Sequence, residues 1–149
     1  MEQANNVKWI LAKDELSRED VLKVEEALGV SFPSDYVDCV VLNNGGQPVP
    51  DTFDFKGRSE AVFNSLIDLN VRENRNIIGV YNNLKNRLPG SVYPFADDPF
   101  GNYLCFDYHE GNEPSIVFWD HEKANLDKNL AIDYICSSFN VLIDKLHKS

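Results

Sequence analysis

A chain of 149 residues with 43% hydrophobic and 26% charged residues has the composition of one globular domain with a real core, not of a disordered or collagen-like chain. Its formal charge of -10 opposes phosphate backbones and anionic lipid, so direct binding to nucleic acid or a membrane surface is not expected. No apolar run approaches the ~20 residues that span a bilayer, and the stretch MEQANNVKWILAKDELS lacks the basic start, apolar run and cleavage site of a signal peptide. A cytoplasmic location is expected.

In chain order, Ser17 is a good N-cap, and Asp20 stands near the position of a capping-box acid. Val21, Val24 and Leu28 follow at helical spacing and Gly29 supplies the stop, so a first helix is predicted over Arg18–Leu28. After the link ending at Pro33, Ser34 can cap a second helix with Tyr36, Val37, Val40 and Val41 on one face. Asn43-Asn44-Gly45-Gly46 ends it, because Asn and Gly tolerate the left-handed conformation of a C-cap. That account of Gly45 and Gly46 is preferred to phosphate binding. The next stretch, QPVPD, reads as a loop.

Short strands are predicted over Thr52–Phe55 and Ala61–Leu66 around a Lys56-Gly57-Arg58 turn. A third helix is expected from about Asn70, marked by Ile77, Val80, Tyr81, Leu84 and Leu88 and stopped by Pro89-Gly90. Val92 and Phe95 suggest a strand leading into Asp97-Asp98-Pro99. Tyr103–Tyr108 alternates Leu104, Phe106, Tyr108 with Tyr103, Cys105, Asp107, and Ser115–Trp119 is apolar and β-prone. With the turn over His109–Pro114 between them, these two strands read as an antiparallel hairpin. Phe139, Leu142, Ile143 and Leu146 mark a last helix. It starts near Asn129 or at Ser137, the latter leaving Ala131–Ile135 as a short strand. The whole is an α+β fold: a single domain over residues 1–149, with a mainly antiparallel sheet flanked by helices.

Cys39, Cys105 and Cys136 are widely spaced, without a CxxC pair, and each has apolar neighbours. They read as small buried hydrophobes, not as a disulfide framework, a zinc knuckle or a catalytic thiol. Asp97, Asp98, Asp107, Asp120 and Glu122 with His109 and His121 could be drawn as a metal cluster, but neither histidine stands in a tight ligand motif. The plainer reading is that Asp98 and Asp107 organise turn and strand ends through backbone amides. There is no GxSxG, phosphate loop or dinucleotide glycine pattern, so no catalytic residue, metal or cofactor is expected.

One ordered set of motifs remains. Val24-Glu25-Glu26-x-Leu28-Gly29 is followed by Phe32-Pro33-x-Asp35-Tyr36 and Asn43-x-Gly45-Gly46. Later come Pro94-Phe95-Ala96-x-Asp98, Phe100-Gly101-Asn102-x-x-Cys105-Phe106-Asp107-Tyr108, Ile116-Val117-x-Trp119-x-His121-Glu122 and Ser137-Ser138-Phe139. This order resembles the SUKH superfamily, related to the yeast Smi/Knr cell-wall-synthesis regulators, over nearly the whole chain. The segment GQPVPDTFDFKGRSE matches only loosely. The resemblance implies an α+β domain and, for many members, a bacterial immunity protein that binds and neutralises a cognate toxin, often a nuclease. The alternative it implies is a regulatory scaffold of the Smi/Knr kind with an endogenous protein partner. On this reading Gly29, Pro33, Gly45, Gly46, Gly101, Asn102 and Asp107 are structural.

A nuclease holds polyanions with a basic surface, which an acidic partner can occupy with steered association. By the period-two rule, about half of the hairpin aromatics face the core and the rest could form an exposed aromatic and acidic face. The expected partner-binding residues are Asp97, Asp98, Asp120 and Glu122, with Tyr103 or Trp119 as apolar anchors. Asp51, Asp54 and Glu60 are the next candidates.

Overall fold

The computed structural model describes residues 7–149. The first six residues of the N-terminal stretch read above for a leader lie outside the described residues. Helix α1 (Arg18–Leu28) forms as expected. Its capping box is closed, with the Ser17 hydroxyl accepting from the Asp20 N–H at 3.1 Å and the Asp20 carboxylate accepting from the Ser17 N–H at 2.9 Å. Gly29 is its left-handed C-cap. Helix α2 (Ser34–Asn43) begins one residue earlier than expected, with Pro33 at the N-cap. Asp35 instead ties the helix down, since its carboxylate accepts from the Tyr36 N–H at 2.8 Å and the distant Asn140 N–H at 3.0 Å.

The stretch read as a loop after Gly46 is a strand. β1 (Lys8–Ile10) pairs antiparallel with β2 (Gln47–Val49). β3 (Thr52–Phe55) and β4 (Arg58–Val62) form a hairpin around the expected turn. The run expected as one strand over Ala61–Leu66 is broken, because Phe63 dives fully into the core before β5 (Ser65–Leu66) begins. Helix α3 covers only Ile77–Leu84. The residues before it are held in turns by their own side chains, with Asp68 accepting from the Asn70 N–H at 2.8 Å and Asn70 from the Arg72 N–H at 3.0 Å. Such side-chain bonds compete with helix, and Asn76 then caps α3 through the Ile78 and Gly79 N–H groups. Leu88 falls after a short 3-10 turn at Lys85–Arg87.

The central sheet contains β5, β6 (Val92–Asp97), β7 (Tyr103–Asp107), β8 (Ser115–Trp119) and β9 (Ile132–Cys136), in that order and all antiparallel. The predicted hairpin is β7–β8, with Tyr103 opposite Trp119 and Asp107 opposite Ser115. Between β8 and β9 lies a helix the sequence pattern did not reveal, α4 (His121–Leu126). The last helix is α5 (Phe139–Lys145), capped by Ser138, not Ser137, whose hydroxyl accepts from the Val141 N–H at 3.2 Å. The open choice at the C-terminus is thus resolved as a strand followed by a short helix.

Both faces of the sheet are covered. Phe118 lies under the β3–β4 hairpin, 5.2 Å from the Phe55 ring and with the Arg58 guanidinium 4.6 Å over its own. Its neighbour Trp119, pointing the other way, lies under the Lys85–Arg87 turn and donates from Nε1 to the Arg87 carbonyl at 3.0 Å. Tyr36 of α2 and Phe139 of α5 pack edge-on to Phe95, and Tyr36 does the same to Phe106. The expected exposed face of alternating aromatics is therefore not present. Phe95, Phe106, Phe118 and Trp119 are all fully buried, Tyr93, Tyr103 and Tyr108 are half-buried, and only Phe100 at the β6–β7 turn is well exposed.

Candidate partner-binding surface

The β6–β7 turn is built on one carboxylate. Asp98 accepts from the Phe100 and Asn102 N–H groups, both at 2.8 Å, and from Asn102 Nδ2 at 2.9 Å. Asn102 Oδ1 in turn accepts from the His121 N–H at 3.0 Å, which fixes the turn against the start of α4. Asp120 is the N-cap of α4, accepting from the Glu122 and Lys123 N–H groups, and its second oxygen lies 3.4 Å from Arg58 Nη2. Asp107 holds the far end of β7, accepting from Ser91 Oγ at 2.8 Å and the His109 N–H at 3.0 Å. Asp97 accepts from Asn64 Nδ2, Ser65 N–H and Ser65 Oγ and so anchors β5 to β6.

The six expected partner residues therefore separate by exposure. Asp98, Trp119 and Asp120 are buried, with their polar atoms spent on a turn, a carbonyl and a cap. Asp97 and Tyr103 are half-buried and Glu122 is exposed. Asp97 and Tyr103 meet in a pocket of about 180 Å³ with Lys13, Asp68 and Arg75. Lys13 Nζ is 3.6 Å from the buried Asp68 carboxylate, and its aliphatic stem lies over Gly45. Burial raises the Tyr103 hydroxyl while Arg75 pulls it down. Two acids and two cations balance in this pocket, so it offers a charged partner no net sign. Gly45 has φ +73 and Gly101 has φ +91, a backbone conformation that side chains with a Cβ rarely adopt.

The three thiols are chemically quiet. Burial pushes Cys39 up to about 12 and Cys136 up to about 11, and it raises the wholly buried Cys105 as well. A thiol so raised is not a nucleophile near neutral pH. Among the described residues no group of three or more His, Cys, Asp or Glu is placed to hold a metal ion, and no helix is long and apolar enough to cross a membrane.

One concavity was not anticipated. It is a groove of about 820 Å³ between the C-terminal half of α1 and the neighbouring ends of β6 and β7, lined among others by Leu22, Glu25, Glu26, Tyr93, Tyr108 and Asn112. The signal existed in the motif Val24-Glu25-Glu26 and in Tyr108, but nothing in linear sequence brings the two together.

A curated relative is the SPbeta prophage-derived uncharacterized protein YokK of Bacillus subtilis (strain 168), 23% identical over 148 positions that span 87% of this chain and 74% of the relative. The model of the SMI1 / KNR4 family (SUKH-1) matches residues 15–145. With the antiparallel sheet, the Phe100-Gly101-Asn102 turn and the flanking helices in place, the chain belongs to the SMI1 / KNR4 (SUKH-1) family.

Proposed function

We propose that this chain is a cytoplasmic immunity protein that binds and neutralises a cognate secreted toxin whose active end is a basic nuclease domain. The observation that carries this reading is a charge of -10 on a member of the SMI1 / KNR4 (SUKH-1) family. A domain that holds nucleic acid needs a cationic surface, and an acidic protein competes for it with the polyanion. The action is binding and not catalysis. Its supports are the raised thiols and the way the hairpin carboxylates Asp98, Asp107 and Asp120 are committed to backbone amides.

The test is co-expression with the C-terminal domain of a large secreted protein encoded beside this gene. Growth restored by this chain, together with a stoichiometric complex of the two purified proteins, supports the proposal. Toxicity unrelieved by a folded, equally abundant chain overturns it. An isolated gene whose product captures an endogenous regulator would favour the scaffold role instead.

A further inference from the structure

We propose that the groove beside α1 is the surface that reads the partner, and that it takes an extended basic segment, with an arginine or lysine side chain laid across Tyr93 and Tyr108 toward Glu25 and Glu26. This rests on the proposal of a basic protein partner and adds where and how that partner is held.

Three features point to a cation. The first is sign: the groove carries two glutamates, and among the described residues none of its lining side chains is a lysine, arginine or histidine. A second groove, about 500 Å³ around Lys56, Arg58 and Lys123 with Asp133, has the opposite sign and would repel the same segment. The second feature is a ladder of tyrosines. Tyr93 stacks on Tyr81 with ring centres 5.1 Å apart and meets Tyr108 edge-on at 5.8 Å. Ring faces attract a guanidinium or ammonium, and the exposed Leu22 suits the apolar stem of the same side chain.

The third feature is rigidity. The Tyr108 hydroxyl donates to the Ser31 carbonyl at 2.7 Å, and the Glu25 carboxylate accepts from the Phe32 N–H at 2.6 Å. One ring and one carboxylate are thereby held in place before any partner arrives, which limits the ordering cost of binding. Glu26 is exposed one residue further along the same helix and is open to a partner. Asp98 and Asp120 lack this arrangement, since both are buried and already bonded.

The experiment uses the full chain, isotopically labelled, titrated with a hexa-arginine peptide at low and at physiological salt, with hexa-glutamate as the control. The expected result is amide shifts clustered at Ser31, Tyr93, Tyr108 and Asn112, absent with hexa-glutamate. Binding should weaken by about tenfold in Glu26→Lys, a charge reversal at an exposed position of the groove. Leu22→Lys at the exposed rim is a second variant of the same sense. Shifts centred on the Asp51, Asp54 and Glu60 hairpin, shifts spread evenly over the acidic surface, or unchanged binding in both folded variants would overturn the proposal. The neighbouring toxin domain separates this inference from the immunity role. Full neutralisation by both variants removes the groove and leaves immunity standing. No neutralisation by the wild type, with the peptide still on the groove, removes immunity and leaves the groove.

Discussion

Replacing Asp98 with Ala separates folding from recognition at the hairpin. The carboxylate gathers three donors, the N–H groups of Phe100 and Asn102 and the Asn102 side-chain amide. Phe100 is 70% exposed, so its N–H can turn to water when the carboxylate is gone. Asn102 is only 6% exposed, and both of its donors would be stranded. A buried donor left without a partner costs about 1–3 kcal/mol, so the two together predict a loss of about 3 kcal/mol. For a chain of this size that corresponds to a fall of about 6–12 °C in Tm. Glu122→Ala, at an exposed residue in the first turn of α4, should stay within about 0.5 kcal/mol. Urea titration and calorimetry of both variants give the comparison. An Asp98→Ala protein as stable as Glu122→Ala would refute the claim that this acid is committed to the turn.

The same reasoning reaches other positions. Gly45→Ala and Gly101→Ala, both at positive φ, should each lose about 1 kcal/mol or more in thermal unfolding, and unchanged stability in both would remove their structural role. His147 Nε2 lies 2.8 Å from Asp54, and Nδ1 lies 2.7 Å from the Lys148 carbonyl, so both ring nitrogens face acceptors. The Lys148 carbonyl first and Asp54 second raise His147 above its ordinary 6.5, while the Glu60 N–H first and His147 second lower Asp54 below 3.8. The clamp between the C-terminus and the β3–β4 hairpin is therefore complete between these two values. It loosens as pH rises through the raised histidine value and as pH falls through the lowered aspartate value. Titration by NMR should show His147 above 6.5 in the wild type and lower in Asp54→Asn, and identical values would contradict the pairing. Cys39, raised to about 12 by burial, should react with a thiol reagent at neutral pH far more slowly in the folded chain than in denaturant, and equal rates would show it accessible as a thiolate.

How much was legible in the sequence followed from the range of the forces involved. Ser17, Asp20 and Gly29 act within one helix and marked α1 at both ends. The turn residues around β7 and β8 were read in the same way, and Asp98 and Asp107 hold those turns through backbone amides. The strands β1 and β2 were not legible, because each is three residues long and its partner is far away in sequence. The start of α3 was misplaced because Asp68 and Asn70 hold their own backbone in turns. The exposed aromatic face failed for a tertiary reason. Alternation gives the side of a sheet, but it cannot tell that the Lys85–Arg87 turn closes over Trp119 while the β3–β4 hairpin closes over Phe118. The acidic groove was missed for the same cause, since Glu25 and Tyr108 become neighbours only when the sheet packs on α1.

The measurement that bears most directly on the central claim is the association rate of the purified chain with the neighbouring toxin domain across a series of salt concentrations. Steering by charge acts over a Debye length of about 8 Å at physiological ionic strength and mainly changes the on-rate. An acidic protein capturing a basic domain predicts fast association at low salt, a steep fall as salt rises, and a dissociation rate that changes little. An on-rate independent of salt, or the lack of any complex between the two folded proteins, would contradict it.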